Sequence, residues 1–228
     1  MRGRRRGFCP QVKLHKAVST ANSLLFAAAL VVLVDQSVAS ALSRSELRPH
    51  WSSDDRSLVV VDRTGDRSWS EATRHAVEVW SRATTGTGLQ ITWRKEPAVA
   101  ACKGGRNRIE ICQEPAQTLG GDIEHDRQGL TDLRLGSDRR QAHIGGTSID
   151  VCSDCGLAEG RRRVVAAHEL GHALGLNHNR RLGSLMYPSG GPDKPDEKDV
   201  EALRSLYSHV DGRDRCGLFN VRFGSFCF

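Results

Sequence analysis

The chain has 228 residues and a formal net charge of +6, with 26% charged and 5% aromatic residues. That length fits one ordinary domain plus a leader, and so few aromatics leave no stacking platform for a nucleic acid. The charge is badly placed for one too. Arg2, Arg4, Arg5, Arg6, Lys13 and Lys16 against Asp35 put most of it in residues 1–41, leaving 27 basic and 26 acidic residues in the remainder.

Residues 1–41 have the design of an export signal. A basic start precedes an apolar run at 24–34, and Ala39-Ser40-Ala41 supplies a small-residue cleavage site. The run is short of the ~20 apolar residues that a spanning helix needs. Its long basic start leaves an uncleaved anchor or a misplaced start codon open. Arg5-Arg6 before Phe8 resembles a twin-Arg signal only faintly, because it lies far from the apolar run. The reading is a secreted protein with no stable membrane association after leader cleavage.

Cys9 leaves with the leader, so Cys102, Cys112, Cys152, Cys155, Cys216 and Cys227 remain. An even number in an exported domain reads as disulfides. Neighbours in sequence suggest Cys102–Cys112 and Cys216–Cys227. Cys152 and Cys155 form a CxxC, which is a redox or metal motif in a reducing compartment and a structural bridge in an exported chain.

The elements follow in chain order. Residues 42–56 read as a flexible lead-in and 57–62 as a β-branched strand. A helix is predicted over 70–82, with Ser70 as its N-cap and Ala72, Ala76, Val79 and Trp80 on one side. Strands are predicted at 89–93 and 108–112, an irregular stretch from Gly120-Gly121 to about 128, then strands at 130–135 and 142–151. A helix over 160–174 ends at Gly175, whose missing Cβ suits a left-handed turn. Residues 184–191 are a Gly- and Pro-containing loop. A last amphipathic helix over 196–207 turns Val200, Leu203 and Leu206 or Tyr207 inward. Strands followed by helices in this order predict an α/β (α+β) domain over 57–210 with helices packed on a sheet, and a short tail at 211–228.

The chemistry concentrates in His168-Glu169-Leu170-Gly171-His172-Ala173-Leu174-Gly175-Leu176-Asn177-His178. Residues i and i+4 share a helix face, so His168 and His172 can present ring nitrogens to one ion. Zinc in a catalytic site takes a third protein ligand and keeps an open position for water. A helix break at Gly175 folds the chain back and lets His178 be that ligand. Glu169 then lies beside the open position as general base toward the zinc-activated water, and can pass the proton to a leaving amine.

These residues, followed by Ser184-Leu185-Met186-Tyr187-Pro188, resemble the metzincin metalloendopeptidases, and among them the matrixin branch. Residues 76–81 and 199–207 are similar to that family's first and last helices. The resemblance implies a five-stranded twisted mixed sheet with helices, a small C-terminal part and a cleft between them. It implies Met186 in a Met-turn beneath the metal, as packing rather than as a ligand. Extended protein or peptide substrates would pair with the edge strand at 130–135.

The sequence also departs from the family pattern. Additional structural zinc or calcium would need closely spaced His and Asp, and only Asp122, His125, Asp126 and the later His143 are offered. Ser189-Gly190 stands where the family's specificity-pocket tyrosine is usual. The ~15 residues after the cleavage site are too few for a folded inhibitory propeptide. Arg215-Cys216-Gly217 is similar to an inhibitory cysteine motif but follows the catalytic part, where a bridge to Cys227 is the alternative. Arg161-Arg162-Arg163 opens the active-site helix, where the macrodipole disfavours cations. Steering of acidic substrates competes there with an ordinary solvated basic turn. Two other functions stay open, a zinc hydrolase of cell-wall peptides and a non-catalytic zinc-binding module. Glu169 argues against the second, since a structural zinc site needs no general base.

Overall fold

A computed structural model describes residues 48–120, 127–136, 143–209, 222–223 and 226–227. The leader, Asp122, His125, Asp126, Cys216 and its proposed bridge to Cys227 lie outside the described residues, as does most of the tail.

The sheet contains β1 (Ser57–Asp62), β2 (Gln90–Lys95), β3 (Arg108–Glu114), β4 (Gly129–Leu135) and β5 (Ile144–Cys152), in the order β2-β1-β3-β5-β4. The first four strands in that order run parallel, and β4 pairs antiparallel with β5. A central parallel strand is covered on both faces, which is why burial along β1, β3 and β5 alternates little. In β4 more exposed and less exposed residues alternate along most of the strand, as at a sheet edge. A two-stranded hairpin joins β6 (Arg222–Phe223) to β7 (Phe226–Cys227).

Helix α1 (Arg67–Ala83) packs against α2 (Glu159–Ala173), and α3 (Glu197–Leu206) closes the described domain. Three fully buried tryptophans tie α1 and the segment before β1 to β5 and α2. Trp69 donates Nε1–H to Cys152 O ahead of the helix (3.2 Å), Trp80 to Ala167 O within it (2.7 Å), and Trp51 to Ala173 O at its end (2.9 Å). Each ring fills the core while its polar edge is satisfied by a carbonyl, so α2 is held at its middle and at its end, and α1 is tied to the end of β5.

Several boundaries differ from the sequence reading. α1 starts earlier, because Asp66 is the cap and accepts from Trp69 N at 2.8 Å. Ser70 sits one turn inside and donates to Asp66 O. The lead-in is not loose over its last residues. His50 and Trp51 are buried, and a short 3-10 turn covers Ser53–Asp55. Apolar burial and the Trp51 hydrogen bond make this stretch part of the domain. Two cysteine pairs are bridged, Cys102–Cys112 and Cys152–Cys155.

Candidate metal centre

Helix α2 carries Arg161, Val164, Val165, His168, Glu169 and His172 along the face that lines an open cleft. It ends in a Schellman motif. Gly175 N donates to His172 O (2.8 Å) and Leu176 N to Gly171 O (3.0 Å), with Gly175 at φ +94°. A Cβ there would lie 2.1 Å from Pro49 O, so glycine is required for both conformation and space. The reversal brings His178 back over the helix. His168 Nε2 stands 3.0 Å from His178 Nε2 and 3.1 Å from His172 Nε2.

The opposite ring nitrogens explain the orientation. His168 Nδ1 lies 2.7 Å from Leu185 O, and His172 Nδ1 lies 2.7 Å from Leu176 O. A carbonyl only accepts, so both protons sit on Nδ1 and both Nε2 atoms turn lone pairs toward the common point. Burial favours this neutral state. It pulls His168 down to about 4 and lowers His172 and His178 as well. Lone pairs at such separations repel unless a cation lies among them. Zinc–nitrogen bonds of about 2.0–2.1 Å in a tetrahedral site would hold their nitrogens about 3.3 Å apart. The donor set fits zinc in charge state, geometry and element.

Glu169 is buried and lies in the same cleft wall. Burial pushes its carboxyl up to about 7, against the lowering effect of the Thr131 hydrogen bond and the Arg127 charge. Thr131 on β4 has its Oγ1 2.7 Å from Glu169 Oε2 and 3.0 Å from Glu169 O. Gly129 makes room, since a Cβ there would lie 2.7 Å from Glu169 Cγ. Thr131 was not among the sequence candidates, because its partner is remote in the chain and strand alternation marks it only as a polar position.

Met186 is buried with its Sδ against Gly171, between His168 and His172 in the chain, and its backbone N–H donates to Ser184 Oγ at 2.9 Å. The turn around it is held by Asp199, at the start of α3 and 1% exposed. Its carboxylate accepts from Ser184 Oγ (2.6 Å), Asn179 Nδ2 (3.0 Å) and Leu185 N (3.0 Å). Leu185 in turn accepts from His168, so Asp199 is one residue removed from the ring that it helps orient. The sequence reading saw Asp199 only as a helix residue.

The remaining candidates fall elsewhere. His143 stacks edge-on with His50, ring centres 5.0 Å apart. Among the described residues, the other three potential ligand atoms within 4.8 Å of one another belong to Cys152, Asp154 and Cys155, and the two sulfurs are joined as a disulfide. The three arginines opening α2 have separate roles. Arg163 pairs with Glu159, Arg162 lies over the Trp69 ring at 5.9 Å, and Arg161 enters the cleft.

With this fold and three-histidine geometry in place, comparison with known proteins gives one family. The matrixin profile matches residues 51–208, and the chain belongs to that family. Interstitial collagenase of Oryctolagus cuniculus is 24% identical over 176 residues, covering 70% of this chain and 33% of that protein. Matrix metalloproteinase-21 of Homo sapiens is 36% identical over 80 residues, 28% of this chain and 14% of that protein. The chain thus spans about a third or less of the length of these relatives. Among solved structures, the hatching enzyme zinc-protease of Oryzias latipes aligns with a TM-score of 0.39 at 12% identity, covering 72% of this chain and 95% of that one.

Proposed function

We propose that this matrixin is a secreted zinc-dependent endopeptidase, with His168, His172 and His178 as zinc ligands and Glu169 as general base. The observation that carries the reading is the convergence of Nε2 atoms at 3.0 and 3.1 Å while two Nδ1 atoms are committed to carbonyls. Zinc would supply Lewis acidity toward the scissile carbonyl and would acidify the water at its open position.

The chain's own groups do the rest. Glu169 would take the proton of the attacking water and pass it to the leaving amine, with Thr131 Oγ1, 2.7 Å from its Oε2, keeping the carboxylate aimed. Among the described residues β4 is the outer strand of the sheet, and its Gly129, Leu130, Thr131 and Leu133 line the cleft, where it can offer backbone groups to an extended peptide. Met186 supports the histidines from beneath as packing. Two bridged cysteine pairs fit an oxidising compartment, as does the export-like leader. Among the described residues no helix is long and apolar enough to cross a membrane.

The test is hydrolysis of a mixed peptide library, inhibited by a chelator and restored by zinc, beside Glu169→Gln. The variant should keep its zinc and lose activity by roughly 10²–10⁴-fold, the range of general base catalysis. A zinc-loaded variant that cuts as fast as the parent would remove Glu169 from the mechanism.

A further inference from the structure

The cleft wall carries a cation, Arg161, that takes no part in the three-histidine cluster. Arg161 lies two turns before His168 on the same face of α2, about 10 Å along the axis at 1.5 Å per residue. Its guanidinium crosses the cleft. Nε donates to Gln128 Oε1 at the foot of β4 (2.5 Å), and Nη1 donates to Ser189 O in the segment after the Met-turn (2.9 Å). Two acceptors are neutral, and no carboxylate pairs with Arg161 among the described residues. Among the described residues, no acceptor takes the N–H groups of Nη2.

Gly190 explains how the arginine fits. A Cβ at that position would lie 2.7 Å from Arg161 Nη1 and 2.9 Å from Val164 Cγ1, and Gly190 has φ +77°. A side chain there would fill the space that the guanidinium occupies. The described cleft wall carries two arginines, Arg127 and Arg161, and its one carboxylate, Glu169, is buried beside the histidines. Between the histidines and Arg161 the wall is apolar, formed by Val164 and Val165. A substrate side chain entering here meets a short apolar passage and then a fixed, forked cation.

Building on the peptidase reading above, we infer that Arg161 is a specificity-determining residue that selects a substrate with an acidic side chain next to the scissile bond. Glutamate suits the site best, because its methylenes cross the valines and its carboxylate can take two parallel N–H donors from a guanidinium. Glutamine offers one acceptor oxygen and no charge, and leucine leaves the guanidinium uncompensated.

The experiment uses the zinc-loaded full chain and peptides that differ only in one residue flanking the cleaved bond: Glu, Gln or Leu, on each side in turn. On one side kcat/KM should favour Glu over Gln by about 10-fold or more, the scale of one charge-assisted hydrogen bond. The ratio should shrink as salt is raised, disappear in Arg161→Met and partly return in Arg161→Lys. A Glu/Gln ratio near one in the wild type, or a ratio unchanged by Arg161→Met, overturns the inference, and the wild-type ratio decides even if a variant fails to fold. Binding of the same peptides to the zinc-loaded Glu169→Gln protein, measured by calorimetry, separates the two readings. Glu-selective binding without any hydrolysis by the parent would sink the peptidase assignment and keep the cationic subsite. Hydrolysis together with equal binding of Glu and Gln peptides would do the reverse.

Discussion

Met186 packs its sulfur against the one turn of α2 that Gly171 leaves bare: a Cβ on Gly171 would lie 2.5 Å from Met186 Sδ and 2.8 Å from Trp80 Cζ2. Gly171 sits between His168 and His172, so the two ligand candidates are one helical turn apart with a methionine seated below. The close approach is available only to glycine. It sets the depth of the Met-turn, and the carbonyl of Leu185 in that turn orients His168.

Gly171→Ala should therefore force Met186 or Trp80 to move. Overpacking of this kind costs about 1–3 kcal/mol, read as a lower urea midpoint with little change in the slope. A variant as stable as the parent would show that the turn has slack that the contact distances deny.

Asp199 gathers the loop after His178 and the Met-turn through one buried carboxylate. Asp199→Asn keeps the volume but replaces an acceptor oxygen with a donor among groups that all donate. Zinc affinity should fall by about 10–100-fold, as is typical when a group behind a ligand is altered. Competition with a chromophoric chelator measures it directly. Unchanged affinity would mean that the histidines are oriented without help from α3.

Acid should weaken the fold through Glu110 on β3. Burial would raise its carboxyl, but backbone N–H groups of Lys103 and Gly104 and the Arg108 guanidinium outweigh burial and hold it at about 2. A carboxyl depressed in the folded chain contributes stability that is present above its ordinary value of 4.5 and is lost as pH falls toward about 2. The contribution is on the order of 2–3 kcal/mol. Unfolding free energy measured between pH 5 and 2 should drop less steeply in Glu110→Gln than in the parent. Parallel curves would contradict the assignment.

Much of this architecture was legible beforehand, for physical reasons that differ by element. Ser57–Asp62 matched its predicted strand because a β-branched run between polar residues has one reading. Gly175 marked the end of α2 because an αL turn after two spaced histidines needs a residue without Cβ. The start of α1 was misread, since Asp66 and Ser70 are both good caps and only the turn at Gly65 (φ +70°) selects the earlier one. Trp51 reads as lead-in from the sequence because nothing local says that its partner is Ala173, 122 residues away. Thr131 and Asp199 escaped notice for the same reason: their bonds to Glu169 and to the Ser184–Leu185 turn are made by the fold, not by spacing.

The most direct measurement is zinc K-edge absorption on the purified chain, with metal content from the same sample. One zinc per chain is predicted, with three imidazole nitrogens at about 2.0–2.1 Å and a remaining light-atom shell from solvent. His178→Ala should lose one imidazole from that shell. No stoichiometric zinc, or a shell containing sulfur, would contradict a centre built from His168, His172 and His178.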